Sequence, residues 1–201
     1  MGKYERNPAK RLLPTEWEDV EVVERHGEDD RSPKFALLPT GEEANRVLFF
    51  GTLMDDVENV AKDGDYWRGR VIDNSDPDGG VAEVYIYAGS YKAEQMEFLK
   101  SAETPCYVCV VGKPQEPYVK DDGTVYVNMD IESIRTATRD ERDMWLAEAV
   151  THTAQRVQNM RENPEDDVVQ RAVEEYDVDV NDYLRGAQTA LEAAVNDSQN
   201  E

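Results

Sequence analysis

Between residues 45 and 137, apolar and polar positions come in short, partly alternating runs closed by turn residues, which is the pattern of β-strands. Residues 46–54 form the first run: Val47, Leu48, Phe49, Phe50 and Leu53 are apolar, and Gly51 inside the run marks a bulge or sharp bend. Residues 66–73 and 81–88 flank a dense turn signal at 74–80 and read as a hairpin. Residues 93–102 carry Met96, Phe98 and Leu99 and read as a short helix. A fourth strand at 106–111 ends at Gly112 and Pro114, and Asp121-Asp122-Gly123 turns the chain into a fifth at 125–134. Ahead of these runs, residues 1–15 lack periodicity and read as a flexible lead-in, and residues 17–24 read as a strand. A turn at 28–33 follows, then a short apolar piece at 35–38.

From Thr138 the period changes. Thr138 with Glu141 spells a capping box, and Trp145, Leu146, Ala149, Val150, Thr153, Val157 and Met160 follow helical spacing until Asn163-Pro164. Two further helices are predicted at about 165–176 and 180–195, with a frayed end beyond.

Three strands, a short helix and two more strands, with a glycine bend in the first, is the order of the five-stranded oligonucleotide-binding (OB) Greek-key barrel. The predicted fold is therefore mainly β with a helical appendage: a barrel with an N-terminal extension over residues 16–137, then C-terminal helices over 138–201.

Composition sharpens this picture. The 201 residues carry 44 acids against 22 bases, a net charge of −22. Acids outnumber bases 11 to 7 in residues 1–44, 17 to 9 in 45–137 and 16 to 6 in 138–201, so the excess is no acidic tail. With 39% hydrophobic residues and three Trp, the chain has the material for a core. Spread acids and few Lys match a surface adapted to molar salt, where charges are screened within about 3 Å. No apolar run reaches the roughly 18 residues of a membrane span, and the apolar stretch of a signal peptide is absent. The expectation is a cytoplasmic protein without membrane contact.

The candidate chemistry lies in the barrel, which holds 11 of the 17 aromatic residues. In the third strand Val84, Ile86 and Ala88 share one face, and Tyr85 and Tyr87 share the other. In the second strand Arg68 and Arg70 share a face opposite Trp67 and Val71. The hairpin is thus predicted to present two Arg beside two Tyr, the chemistry by which barrels grip single strands; the bland alternative is ordinary cross-strand packing. Tyr91 just past the strand, and Lys113, Tyr118 and Tyr126 around the last loop, are the further candidates. Cys106 and Cys109 spell CxxC inside a strand, where their side chains diverge. His26 and His152 spell no metal site. No phosphate loop or nucleophile elbow is present, Asp73, Asp76 and Asp78 read as an acidic turn, and neither catalysis nor a cofactor is expected. The helical stripe Trp145, Leu146, Ala149, Val150 and Val157 must cover something: its own barrel or a partner.

Several segments, in order, carry a resemblance. They are Arg31-Ser32-Pro33-Lys34-Phe35 through Pro39-Thr40-Gly41, then Asn45-Arg46-Val47-Leu48-Phe49 with Gly51 and Leu53, and Ile86-Tyr87-Ala88-Gly89-Ser90-Tyr91 with Glu94. Val110-Val111-Gly112-Lys113, Glu132-Ser133-Ile134, Arg139…Trp145 and Tyr176…Tyr183…Ala190-Leu191 complete the set. This set resembles the haloarchaeal family of replication protein A-associated proteins over roughly residues 16–195. The resemblance implies a single OB fold and non-catalytic work with the single-stranded-DNA machinery of replication and repair. Its implied partners are single-stranded DNA and a replication protein A-like subunit, with homo- or hetero-oligomers open. It also implies that the 145–157 stripe helps subunits assemble. The alternative is a scaffold that binds the DNA-binding subunit without touching DNA. Residues 74–82 are longer and more acidic than the short turn the family would have there.

Overall fold

The computed structural model describes residues 8–199. In chain order the elements are β1 (Lys10–Arg11), α1 (Pro14–Glu18), β2 (Val23–Arg25), β3 (Lys34–Leu38), β4 (Glu42–Ala44), β5 (Val47–Leu53), β6 (Glu58–Asn59), β7 (Tyr66–Asp73) and β8 (Ala82–Gly89). They continue with α2 (Ala93–Ser101), β9 (Cys106–Pro114), β10 (Tyr118–Val119), β11 (Val125–Tyr126), β12 (Met129–Thr136), α3 (Arg139–Glu162), α4 (Asp167–Glu175) and α5 (Asn181–Gln199).

Five strands close a barrel. β5 pairs with β7, β7 with β8, β8 with β12 in parallel, β12 with β9, and β9 back with β5. This is the OB topology. Alternation turns Val47, Phe49 and Leu53 of β5, Val84, Ile86 and Ala88 of β8, and Val108 and Val110 of β9 into the core. Closure between β5 and β7 is narrow, with only Thr52 opposite Ile72 and Leu53 opposite Val71. Gly51 permits it: a Cβ there would lie 2.6 Å from Val71 Cγ1 and 2.7 Å from the Ile72 carbonyl oxygen. Leu99 of α2 is buried with the barrel core, so the short helix plugs the barrel as the strand order predicts.

The rest of β5's edge is covered by the N-terminal segment. β1 runs parallel to it, with Lys10 opposite Val47 and Arg11 opposite Leu48. The flexible lead-in expected for residues 1–15 is therefore corrected from residue 10 on: Leu12 and Leu13 are buried, because the barrel leaves that edge unpaired. Residues 1–7 lie outside the described residues. The strand expected at 17–24 is also corrected. Pro14 opens a helical turn at its first position, which a proline's fixed φ favours. That turn buries Trp17, whose indole N–H donates to the Val127 carbonyl at 3.1 Å. Only residues 23–25 extend, pairing into a separate β2–β3–β4 sheet. The expected fifth strand splits in two, since Val125 and Tyr126 pair with Val119 and Tyr118 before β12 begins.

The C-terminal helices pack on the barrel. The capping box at Thr138 and Glu141 starts α3 as predicted. Trp145 lies over Phe50, ring centroids 5.5 Å apart, and donates to the Leu48 carbonyl at 3.4 Å. Both Phe49 and Phe50 are thus buried, Phe49 in the barrel core and Phe50 beneath α3. Of the two readings of the 145–157 stripe, cover for its own barrel or a partner-binding face, the packing matches the first, and the partner-binding assignment of these five residues is corrected. Trp145, Leu146, Ala149 and Val157 are buried and Val150 is half-buried within the chain's own packing, so none presents a free face.

Deeper in, the Arg156 guanidinium meets the Glu16 carboxylate and donates to Thr40 Oγ1 at 2.9 Å and Thr153 Oγ1 at 3.1 Å, and Thr40 donates to Glu16. The pair is buried and fully bonded, and removing one partner of such a pair costs about 3–5 kcal/mol. At the β7–β8 turn, buried Ser75 accepts from the Thr15 N–H at 3.2 Å and donates to Asp73 at 2.5 Å. Gly186 of α5 sits against it, and a Cβ there would lie 2.1 Å from the Ser75 carbonyl oxygen. Among the described residues no helix is long and apolar enough to cross a membrane.

Candidate nucleic-acid interface

The β7–β8 hairpin pairs Arg68 with Tyr87 and Arg70 with Tyr85. Their alternate neighbours Gly69, Val71, Val84 and Ile86 are buried, so the four named side chains stand on the outer face, each half-exposed. The Arg68 guanidinium lies 5.1 Å from the Tyr85 ring centroid, within cation–π range. Tyr66 continues the same face and stacks on Tyr87, centroids 5.4 Å apart at 25°. The result is a ladder of three phenol rings and two guanidinium planes. Burial pushes the Tyr85 and Tyr87 pKa values up, so both stay neutral and keep their hydroxyl protons. Tyr66 could have been found from sequence: it shares the parity of Arg68 and Arg70.

Acids hold both arginines. Arg68 pairs with Glu58, and Arg70 with Asp56 at 2.7 Å and Glu83 at 3.2 Å. Glu58 belongs to β6, which pairs with β7, and Asp56 lies just before it. The face that can stack bases is therefore short of free positive charge.

The remaining candidates divide. Tyr126 is half-buried beneath the Lys120 ammonium, 4.0 Å from its ring centroid. It lines a cleft of about 190 Å³ together with Tyr85, Trp17 and Glu18, so the structure brings it beside the ladder. Tyr118 stands opposite Tyr126 in the β10–β11 hairpin and is exposed. Lys113 points elsewhere, to Glu132 at 2.9 Å. Tyr91 is fully exposed with nothing bonded to it among the described residues, so it is not brought to the ladder. Lys120 and Gln115 were not singled out by sequence reasoning; Gln115 donates to the Tyr66 hydroxyl at 3.0 Å.

Two other clusters bear on metal chemistry. Glu24, His26 and Glu43 bring three ligand atoms within 4.8 Å of one another, a proximity sequence spacing did not reveal. Arg171 already spans its two carboxylates, at 2.6 Å from Glu24 and 3.1 Å from Glu43, and His26 stacks on Phe35. A second cation there would have to displace the guanidinium. In the β7–β8 turn Asp73 faces Ser75, while Asp76 accepts from the Asp78 N–H.

Topology and outer face together define an OB-fold protein with an aromatic–guanidinium ladder on its exterior. No protein-family model matches the chain, and no curated protein sequence matches it. Among solved structures it is similar to the mitochondrial single-stranded DNA binding protein Rim1 of S. cerevisiae, at 14% identity over 46% of this chain and 94% of that one, TM-score 0.38. It is similar also to the N-terminal domain of PriB from Thermoanaerobacter tencongensis, at 11% identity, 46% and 96% coverage and TM-score 0.34. A small single-stranded DNA binding protein from Mycoplasma pneumoniae aligns at 14% identity, 45% and 90% coverage and TM-score 0.34.

Proposed function

We propose that this protein binds single-stranded DNA without catalysis, stacking bases on Tyr85, Tyr87 and Tyr66 and packing Arg68 and Arg70 against them. One observation carries the reading: the Tyr/Arg ladder lies on an outer barrel flank that, among the described residues, no C-terminal helix covers. Stacking contributes about 1–3 kcal/mol per base and tolerates any sequence. It also persists in molar salt, where counterion release fades. The resemblance to haloarchaeal replication protein A-associated proteins supports a place in replication and repair beside a replication protein A-like subunit, in a salt-adapted cytoplasm. Tyr118 and Tyr126 would extend the stacking surface.

A second reading has its own support. Asp56, Glu58 and Glu83 occupy the arginines, which favours a scaffold that docks the DNA-binding subunit without touching DNA.

Fluorescence anisotropy of labelled oligo-dT in molar KCl decides between them. Wild-type binding that falls about 5- to 100-fold in the Tyr87→Ala, Arg70→Ala double variant supports the ladder. No binding by the folded wild type sinks direct contact and leaves the scaffold.

A further inference from the structure

Beyond the ladder the ratio of charges inverts. The whole chain has two acids per base, yet a cleft of about 610 Å³ between the β2–β3 hairpin and the end of β9 is lined by Arg25, Arg31, Lys34 and Lys113 against three acids. Of those acids, Asp30, Glu116 and Asp130, the last two are already engaged. Glu116 alone serves both Arg25, at 2.6 Å, and Lys34, at 3.1 Å. Asp130 is taken by Lys92, and Lys113 is held from outside the lining by Glu132, which also serves Arg46. Arg31 is exposed and has no ion-pair partner among the described residues.

The cleft adjoins the ladder. Gln115 lines it and donates to the hydroxyl of Tyr66, the ring that stacks on Tyr87. A strand whose bases leave Tyr87 and Tyr66 meets this cluster of cations next. Backbone tracking by a positive groove next to a stacking platform is the physical division of labour in single-strand binding. An acidic protein has little use for surplus cations unless an anion meets them.

We propose that the Arg25–Arg31–Lys34–Lys113 cleft is a phosphate-tracking extension that carries the backbone of a single strand off the tyrosine ladder. The proposal rests on the reading of the ladder as a single-strand site. It makes the N-terminal β2–β3–β4 sheet part of the binding surface, although that sheet lies outside the barrel.

The test compares the wild type with Arg31→Ala, Lys34→Ala on oligo-dT of about 5 and about 15 nucleotides, which spans the site sizes seen for one barrel. Binding is followed across the KCl range in which a melt shows both proteins folded. The expected result is unchanged affinity for the shorter strand, about tenfold weaker binding of the longer one, and a salt slope lower by about 1.4, as two lost phosphate contacts require. Equal slopes and affinities on the longer strand overturn the cleft and leave the ladder standing. A wild type that binds neither length overturns both. If the double variant melts early, Arg31→Ala alone, in an exposed turn, gives the same comparison with a slope change of about 0.7.

Discussion

On the β5–β9 side of the barrel the outward positions end under helices; on the β7–β8 side they end in solvent. Phe50 points outward from β5 and is sealed by Trp145, and Tyr107 of β9 lies under Arg142 with the guanidinium 5.3 Å from its ring. Tyr85, Tyr87, Arg68 and Arg70 point outward in the same way and, among the described residues, are not packed beneath a C-terminal helix. The boundary falls within one strand. Along β7 the outward residues run Tyr66, Arg68, Arg70, and then Ile72, which lies in a narrow cavity with Ala190, Ala193 and Ala194 of α5. Residue chemistry changes from amphipathic to aliphatic where cover begins. The lesson is that an outward Tyr or Arg on a strand can pack against its neighbours and still meet water, whereas Phe50 and Ile72 need a lid.

The comparison breaks most severely at the lid. Trp145→Ala removes the ring over Phe50 and opens a cavity between α3 and the barrel; a loss of about 3–5 kcal/mol in chemical denaturation is expected. That is a large share of a total near 5–15 kcal/mol. Oligonucleotide binding by the fraction still folded should be unchanged, because the other flank does not touch this residue. A loss of affinity without loss of stability would mean the two flanks are not separate.

The open flank can be sharpened instead of broken. Glu58→Gln frees Arg68, and an exposed pair of this kind adds only about 0–1 kcal/mol to stability. Anisotropy titrations should therefore show tighter binding, a few-fold at most, and a salt slope steeper by about 0.7 if Arg68 then meets a phosphate. An unchanged slope would confine Arg68 to stacking over Tyr85.

A pH-dependent effect is expected at the edge of that flank. Glu132 sits where the β12–β9 register shifts, the signature of a bulge, which re-aims its side chain toward Arg46 and Lys113. Burial pushes its carboxyl up, but hydrogen bonds from those two cations prevail and hold its pKa at about 2. A carboxylate with a folded pKa below its unfolded value, roughly 4.3, stabilises above that value and ceases to do so as pH falls through 2. Urea titrations of Glu132→Gln should show a deficit of about 1–3 kcal/mol at pH 7 that closes between about pH 5 and pH 2.

Much of this was legible in the chain. Strict alternation in β8 separates Val84, Ile86 and Ala88 from Tyr85 and Tyr87, and the turn residues at 74–80 close the hairpin that sets Arg68 opposite Tyr87. What escaped notice depends on long-range partners. Glu16 and Arg156 lie 140 positions apart, and nothing near either announces their pairing. The N-terminal elements leave no mark on the sequence, because a two-residue strand and a one-turn helix carry too little periodicity. Asp56 and Glu58 belong to a stretch at 55–65 rich in acids, but their pairing with the arginines depends on how β6 lies along β7.

Ser75 has a consequence of another kind. The N–H of Thr15, the carboxylate of Asp73 and the bare Cα of Gly186 converge on it, so α1, the β7–β8 turn and α5 share one contact. The two segments that flank the barrel in sequence are thereby latched at one point. Fluctuations that lift α5 also strip α1 of its neighbour, so hydrogen exchange is expected to report the amides of both helices as one cooperative unit.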